Sequence, residues 1–174
     1  HCISSAASDV YKRQVPTENA LNFVGAATFE ALSGHPVSTT VFDAVDEVQH
    51  VNVGQHADVV VIAPATADLI ARLATGRADD LLTSTVLVAT CPVIVAPAMH
   101  TEMWLNPATQ DNVATLRRRG ITVIEPAHGR LTGADSGPGR LPEPDQIAEV
   151  VRTELAGYRV EHRWKGKKVV ISAG

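Results

Sequence analysis

The sequence predicts an α/β fold in which a doubly wound, Rossmann-like parallel sheet is flanked by helices. Three observations predict it. Ala57-Asp58-Val59-Val60-Val61-Ile62-Ala63 is a nearly unbroken β-branched run, the pattern of a strand covered on both faces of a parallel sheet. Strand-like runs then alternate with helical stretches, as parallel strands joined by crossover helices require. Start and stop signals also fall where the two patterns meet: Asn106-Pro107 opens a helix, while Gly34, Gly76 and Gly120 close others.

Residues 1–14 (HCISSAASDVYKRQ) carry neither a sheet-like run nor helical periodicity, and read as a non-native leader outside the fold. Glu18 to Leu32 has Leu21, Val24, Ala27, Phe29, Ala31 and Leu32 at roughly helical spacing and stops at Ser33-Gly34. After the strand at 57–63 comes a helix from Ala67 to Ala74, with Thr66 near its N-cap and Thr75-Gly76 as its stop. Asp80 to Ala89 reads as the next helix and Val93 to Ala96 as a second central strand. The helix opened by Asn106 runs to Arg119, and Thr122-Val123-Ile124 forms a further strand. Glu125 to Glu143 is a Gly/Pro-rich loop, longer than a compact domain normally carries without a function. Pro144 to Leu155 is the last helix, and Gly166 to Gly174 reads as a strand that opens a second unit. The expected organisation is therefore a leader at 1–14, one domain over 15–157, and a linker with the first strand of another domain over 158–174.

Composition narrows the function classes. With 45% hydrophobic and 20% charged residues, the 174-residue chain can bury one well-formed core. A net charge of −4 leaves no electrostatic footprint for nucleic acid. The triplet Arg117-Arg118-Arg119 falls in a last helical turn, where cations complement the helix dipole. Cys2 and Cys91 are too few for a disulfide framework, and no apolar run reaches membrane-spanning length. A cytoplasmic protein with neither nucleic acid nor membrane as partner is expected. No metal site is expected.

Two segments carry chemistry. Pro97-Ala98-Met99-His100-Thr101-Glu102-Met103-Trp104 follows the strand at 93–96, at the carboxyl end of a strand, where open α/β sheets bind ligands. Its two thioethers and indole either cap a core or face a flat aromatic ligand. Ala63-Pro64-Ala65-Thr66-Ala67-Asp68-Leu69 leaves the other strand and enters a helix, whose first amides attract anions and polar oxygens.

Together these segments resemble the Pro-Ala-Ser-Ala-Asn-Thr and Pro-x-Met-Asn-x-x-Met-Trp motifs of the flavin-dependent cysteine decarboxylases, flavoprotein-type α/β enzymes. The likeness runs from Val15 to about Val151. It is closest to the decarboxylase half of bacterial bifunctional phosphopantothenoylcysteine decarboxylase/phosphopantothenate–cysteine ligases, and Gly166 to Gly174 is similar to the start of the ligase half. The resemblance implies FMN as cofactor, and CTP and Mg for the ligase half. It implies a homotrimer, or a multiple of one, with flavin between protomers. The implied reaction oxidises the cysteinyl thiol of 4′-phospho-N-pantothenoylcysteine to a thioaldehyde, loses carbon dioxide and ends at 4′-phosphopantetheine in coenzyme A biosynthesis.

By the same resemblance His50 is the active-site acid/base, a role suited to an imidazole that titrates near neutrality. Thr17, Thr66, Ala67, Asp68, Leu69, Ala98 and Met99 are expected at the flavin, and His100, Met103 and Arg140 at the substrate. The loop Arg130 to Arg140 resembles the flap that closes over substrate. Two residues depart from the pattern. His100 stands where the family has an asparagine that holds the substrate carboxylate and amide. Gly133 stands where many members have a proton-donating cysteine, so another donor, water or a neighbouring residue such as Asp135 would have to protonate the intermediate. The family's opening strand and phosphate loop have no counterpart in 1–14, so this chain is expected to bind FMN poorly or not at all. Two other readings remain open: a lantibiotic-type peptidyl-cysteine decarboxylase and a non-catalytic flavoprotein regulatory subunit.

Overall fold

A computed structural model describes residues 11–39, 49–130, 136–158 and 168–172. The chain begins with strand β1 (Tyr11–Gln14), then the short helix α1 (Glu18–Leu21), α2 (Ala26–Ser33) and α3 (Gln49–His56). Strand β2 (Val59–Ala65) leads into α4 (Ala67–Thr75) and α5 (Leu81–Val88). Strand β3 (Val93–Pro97) leads into α6 (Thr101–Leu105) and α7 (Pro107–Arg118), followed by β4 (Thr122–Val123). A hairpin of β5 (Ala127–Arg130) and β6 (Ser136–Arg140), the helix α8 (Pro144–Tyr158) and β7 (Lys168–Ser172) complete it.

Five strands form one parallel sheet in the order β1-β7-β2-β3-β4. The period of two along β2 divides its side chains between two cores. Val60 and Ile62 face a cluster with Leu69, Ile70, Leu82 and Val95, while Val59 and Val61 face Ile94, Ile147 and Val151. Helices α4, α5 and α7 therefore cover one face and α8 the other, which is why β2 has no polar face in its sequence. The expected α/β fold is what the chain adopts.

Local signals explain the boundaries. Thr66 caps α4 by accepting the Leu69 N–H at 3.2 Å, and Asp80 caps α5 in a reciprocal box with Thr83. Asn106 caps α7 ahead of Pro107, and Gly34, Gly76 and Gly120 hold the positive φ that ends three helices. Arg72 on α4 reaches Asp79 at 2.7 Å and Asp80 at 2.5 Å, which ties α4 to the start of α5.

Four elements differ from the sequence reading. Tyr11–Gln14, which shows no strand pattern, pairs in parallel with β7. It lies at the edge of the sheet among the described residues, where polar side chains such as Lys12 and Arg13 are tolerated and backbone pairing alone suffices. The single helix expected at 18–32 is two, broken at 22–25. Its apolar spacing does not mark a buried face: Phe29 is buried, whereas Phe23 is 91% and Leu32 53% exposed. The expected loop at 125–143 contains the antiparallel β5–β6 pair, because Gly129 and Gly137 face each other there and glycines that signal a turn also permit close pairing. The last strand lies in the same sheet, between β1 and β2, and its Val169-Val170-Ile171 suits a position paired on both sides.

Candidate active site

Because β1, β2 and β3 are parallel, the turns that follow them leave from one edge of the sheet. These turns carry Thr17, Thr66 and Ala98-Met99, so all three lie along one edge of the sheet. Ala98 N–H donates to Ala65 O at 3.0 Å, which joins the second turn to the third. A two-residue link, Ala57-Asp58, joins α3 to β2, and α3 packs on α5 with His50 near its start. His50 is half-buried, and its Nδ1 is enclosed without a hydrogen-bond partner. An enclosed imidazole nitrogen with no partner is rare in a folded protein.

Each expected contact has a definite place. Thr17 is buried, and its hydroxyl accepts the Ala20 N–H at 3.2 Å, capping α1. Thr66 is exposed at the edge and Ala67 half-buried, with Asp68 extending its carboxylate into solvent. The first amides of α4 point out of the helix at this edge. Leu69 is only 2% exposed, inside the core, and its N–H is already taken by Thr66, so it reaches the edge through backbone position alone.

In the second motif, Trp104 is 4% exposed and belongs to the core, with Met99 packed partly against it. Trp104 is thus packing material. Met103 is 47% exposed. His100 is exposed at the start of α6, and its carbonyl accepts the Trp104 N–H at 3.0 Å. Arg140, on β6, is half exposed and pairs with Glu143 at 2.5 Å. Asp135 lies outside the described residues. His56, whose Nδ1 is 2.8 Å from Asn52 O, and His128 are exposed, which leaves His50 as the enclosed imidazole of α3.

Sequence reasoning missed how the hairpin meets the third turn. Met99 N–H donates to Gly139 O at 2.9 Å, and Gly137 lies against Thr101. The signal was present in Gly137-Pro138-Gly139 but reads equally as hinge freedom.

The α4 start, with helix amides for polar oxygens, and the small residue Ala98 joined to it through Ala65 are compatible with a flavin. The flavoprotein family pattern matches residues 2–156. The chain belongs to the flavoprotein family. Among its relatives is the coenzyme A biosynthesis bifunctional protein CoaBC of Mycolicibacterium smegmatis, 66% identical over 163 residues, which are 93% of this chain and 39% of that protein. The CoaBC of Bacillus subtilis is 41% identical over 92% of this chain and 40% of its own length. This flavoprotein therefore spans about 40% of the length of such relatives. A PPC decarboxylase mutant complexed with pantothenoylaminoethenethiol superimposes with a TM-score of 0.72 at 33% identity, over 82% of this chain and 81% of that one. The FMN-dependent cysteine decarboxylase SpaF gives a TM-score of 0.70 at 38% identity, over 83% of this chain and 78% of that one. No helix among the described residues is long and apolar enough to cross a membrane, and no cluster of metal-ligating side chains occurs among them.

Proposed function

We propose that this flavoprotein is the FMN-dependent decarboxylating unit of a coenzyme A biosynthesis enzyme, converting 4′-phospho-N-pantothenoylcysteine to 4′-phosphopantetheine and carbon dioxide. The observation that carries the proposal is its 66% identity, across 93% of its length, to the CoaBC of Mycolicibacterium smegmatis. The likeness to a PPC decarboxylase structure supports the same substrate class. When bound, FMN supplies the reversible two-electron oxidation of the substrate thiol that makes the neighbouring carboxylate a good leaving group.

The chain's own residues bind, orient and move protons. The start of α4 at Thr66, Ala67 and Asp68 offers backbone amides and the positive end of a helix to polar flavin atoms. Ala98-Met99 flanks that start from the neighbouring strand, Thr17 follows a strand farther along the same edge, and Leu69 holds the helix down in the core. His50 exchanges a proton with the reacting end of the substrate through Nδ1. His100 donates a hydrogen bond to the substrate carboxylate or amide, with Met103 and Arg140 along the rest of the ligand. We place the enzyme in the cytoplasm as a homotrimer, with the ligase activity, using CTP and Mg, in the remainder of a longer bifunctional protein.

The test is carbon dioxide release from phosphopantothenoylcysteine by the FMN-reconstituted protein, with the visible flavin spectrum recorded first. Where the spectrum shows bound flavin, turnover is expected, and flavin retention without any release overturns the proposal. His50→Asn is expected to keep the flavin absorbance and lower kcat by about a hundredfold or more. Unchanged kcat removes His50 from its role.

A further inference from the structure

Strand β6 touches the third turn at two glycines, and both contacts are too close for any other residue. Gly139 has a φ of 145°, and a Cβ there would lie 2.2 Å from Met99 O. Its own carbonyl accepts the Met99 N–H at 2.9 Å. Two residues earlier, on the same face of the strand, a Cβ on Gly137 would lie 2.5 Å from Thr101 Oγ1 and 2.8 Å from Thr101 Cγ2. The Thr101 hydroxyl is buried and has no hydrogen-bond partner. The hairpin thus grips the residues on both sides of His100 while leaving the imidazole exposed.

We propose that Gly137, Gly139 and Thr101 are positioning residues that seat the turn Met99-His100-Thr101 on β6, and so set where the His100 imidazole meets the substrate. The chain cannot move the base of the flap without moving Met99, because a backbone hydrogen bond and a van der Waals contact join them. An unpartnered buried hydroxyl contributes no hydrogen bond of its own. Thr101 therefore acts through its shape against the bare Cα of Gly137. The consequence for substrate rests on the decarboxylase reading above; the mechanical coupling does not.

The test is a cycle of Gly137→Ala, Thr101→Ala and the double variant in the FMN-reconstituted protein. It is read by KM and kcat for phosphopantothenoylcysteine and by hydrogen exchange of the Met99 amide. Gly137→Ala is expected to raise KM about tenfold or more with flavin absorbance retained, and to speed exchange at Met99. Thr101→Ala alone is expected to move both in the same direction by a smaller factor than Gly137→Ala. The double variant is expected to recover most of the loss, since removal of Oγ1 and Cγ2 leaves only the Thr101 Cβ, at 3.2 Å. Gly137→Ala with unchanged exchange, or a double variant no better than the single, overturns the seat. Faster exchange with an unchanged KM overturns its role in positioning His100. If the parent itself releases no carbon dioxide, the decarboxylase reading fails while the exchange data still decide the coupling.

Discussion

Gly54 shows how tightly the placement of His50 depends on packing. It lies one helical turn after His50, on the same face of α3, and that face meets α5. A Cβ at Gly54 would lie 2.6 Å from Val88 Cγ2 and 2.7 Å from the Thr85 carbonyl oxygen. Ordinary carbon contacts sit at about 3.5–4.0 Å, so α3 and α5 must separate by roughly an ångström or a side chain must leave its rotamer. Two effects compete in Gly54→Ala. Alanine raises helix stability over glycine by about 0.5–1 kcal/mol, while overpacking a close contact costs about 1–3 kcal/mol. Overpacking wins because one of the two contacts is backbone and cannot rotate away. The net loss is about 1–2 kcal/mol, and at about 2–4 °C per kcal/mol for a chain of this size the midpoint falls by roughly 2–8 °C. Thermal unfolding followed by circular dichroism reads the shift. Adding Val88→Ala should recover part of it and not all, since the Thr85 carbonyl remains. A Gly54→Ala protein that melts at or above the parent temperature would refute the close crossing and, with it, the argument for how His50 is held.

Two further predictions concern packing and charge. Trp104→Ala is expected to destabilise the fold by about 3–5 kcal/mol, because the indole fills a core site and not a ligand surface. Flavin loss without a change in the unfolding midpoint would return Trp104 to the site. Asp79 pairs with Arg72 and Arg77. Desolvation, the largest single influence, works against its charge, but the Arg72 hydrogen bond and the Arg72 and Arg77 charges together outweigh it and hold the carboxyl below the ordinary value of 3.8. The group binds fewer protons folded than unfolded near that value, so its stabilisation is present above it and disappears as pH falls through the lower folded pKa. Asp79→Asn should therefore melt below the parent at neutral pH, with the gap closing in strong acid. A gap that persists there overturns the assignment.

Much of the fold was legible because it follows from local rules. The β-branched run of β2, the Thr66 and Asn106 caps and the glycines at 34, 76 and 120 each act within a few residues of themselves. What was not legible depends on partners distant in sequence. Tyr11–Gln14 is a strand only because β7 lies beside it, more than 150 residues later. The apolar residues of 18–32 have helical spacing, but spacing does not say whether a neighbour covers them, and Phe23 and Leu32 stay exposed.

The candidate site divides along the same line. Motif order places Thr66 and Ala98, because parallel strands send the turns that follow them to one edge, whereas His50 is picked out by resemblance alone. The direction of each side chain is a different matter. Met99, Met103 and Trp104 look equivalent as soft ligand-facing groups, yet the helical period of α6 sends Trp104 inward and Met103 outward. One helical step thus separates a core residue from a contact residue within a single motif. The flap shows the converse. Its glycines read as freedom, but at Gly137 and Gly139 the missing side chain permits an approach that restrains the turn. A glycine two residues from another, opposite a turn that carries a candidate binding residue, therefore points to contact as readily as to motion. The exchange rate of the Met99 amide separates these meanings: hinge glycines leave it fast, and seating glycines protect it.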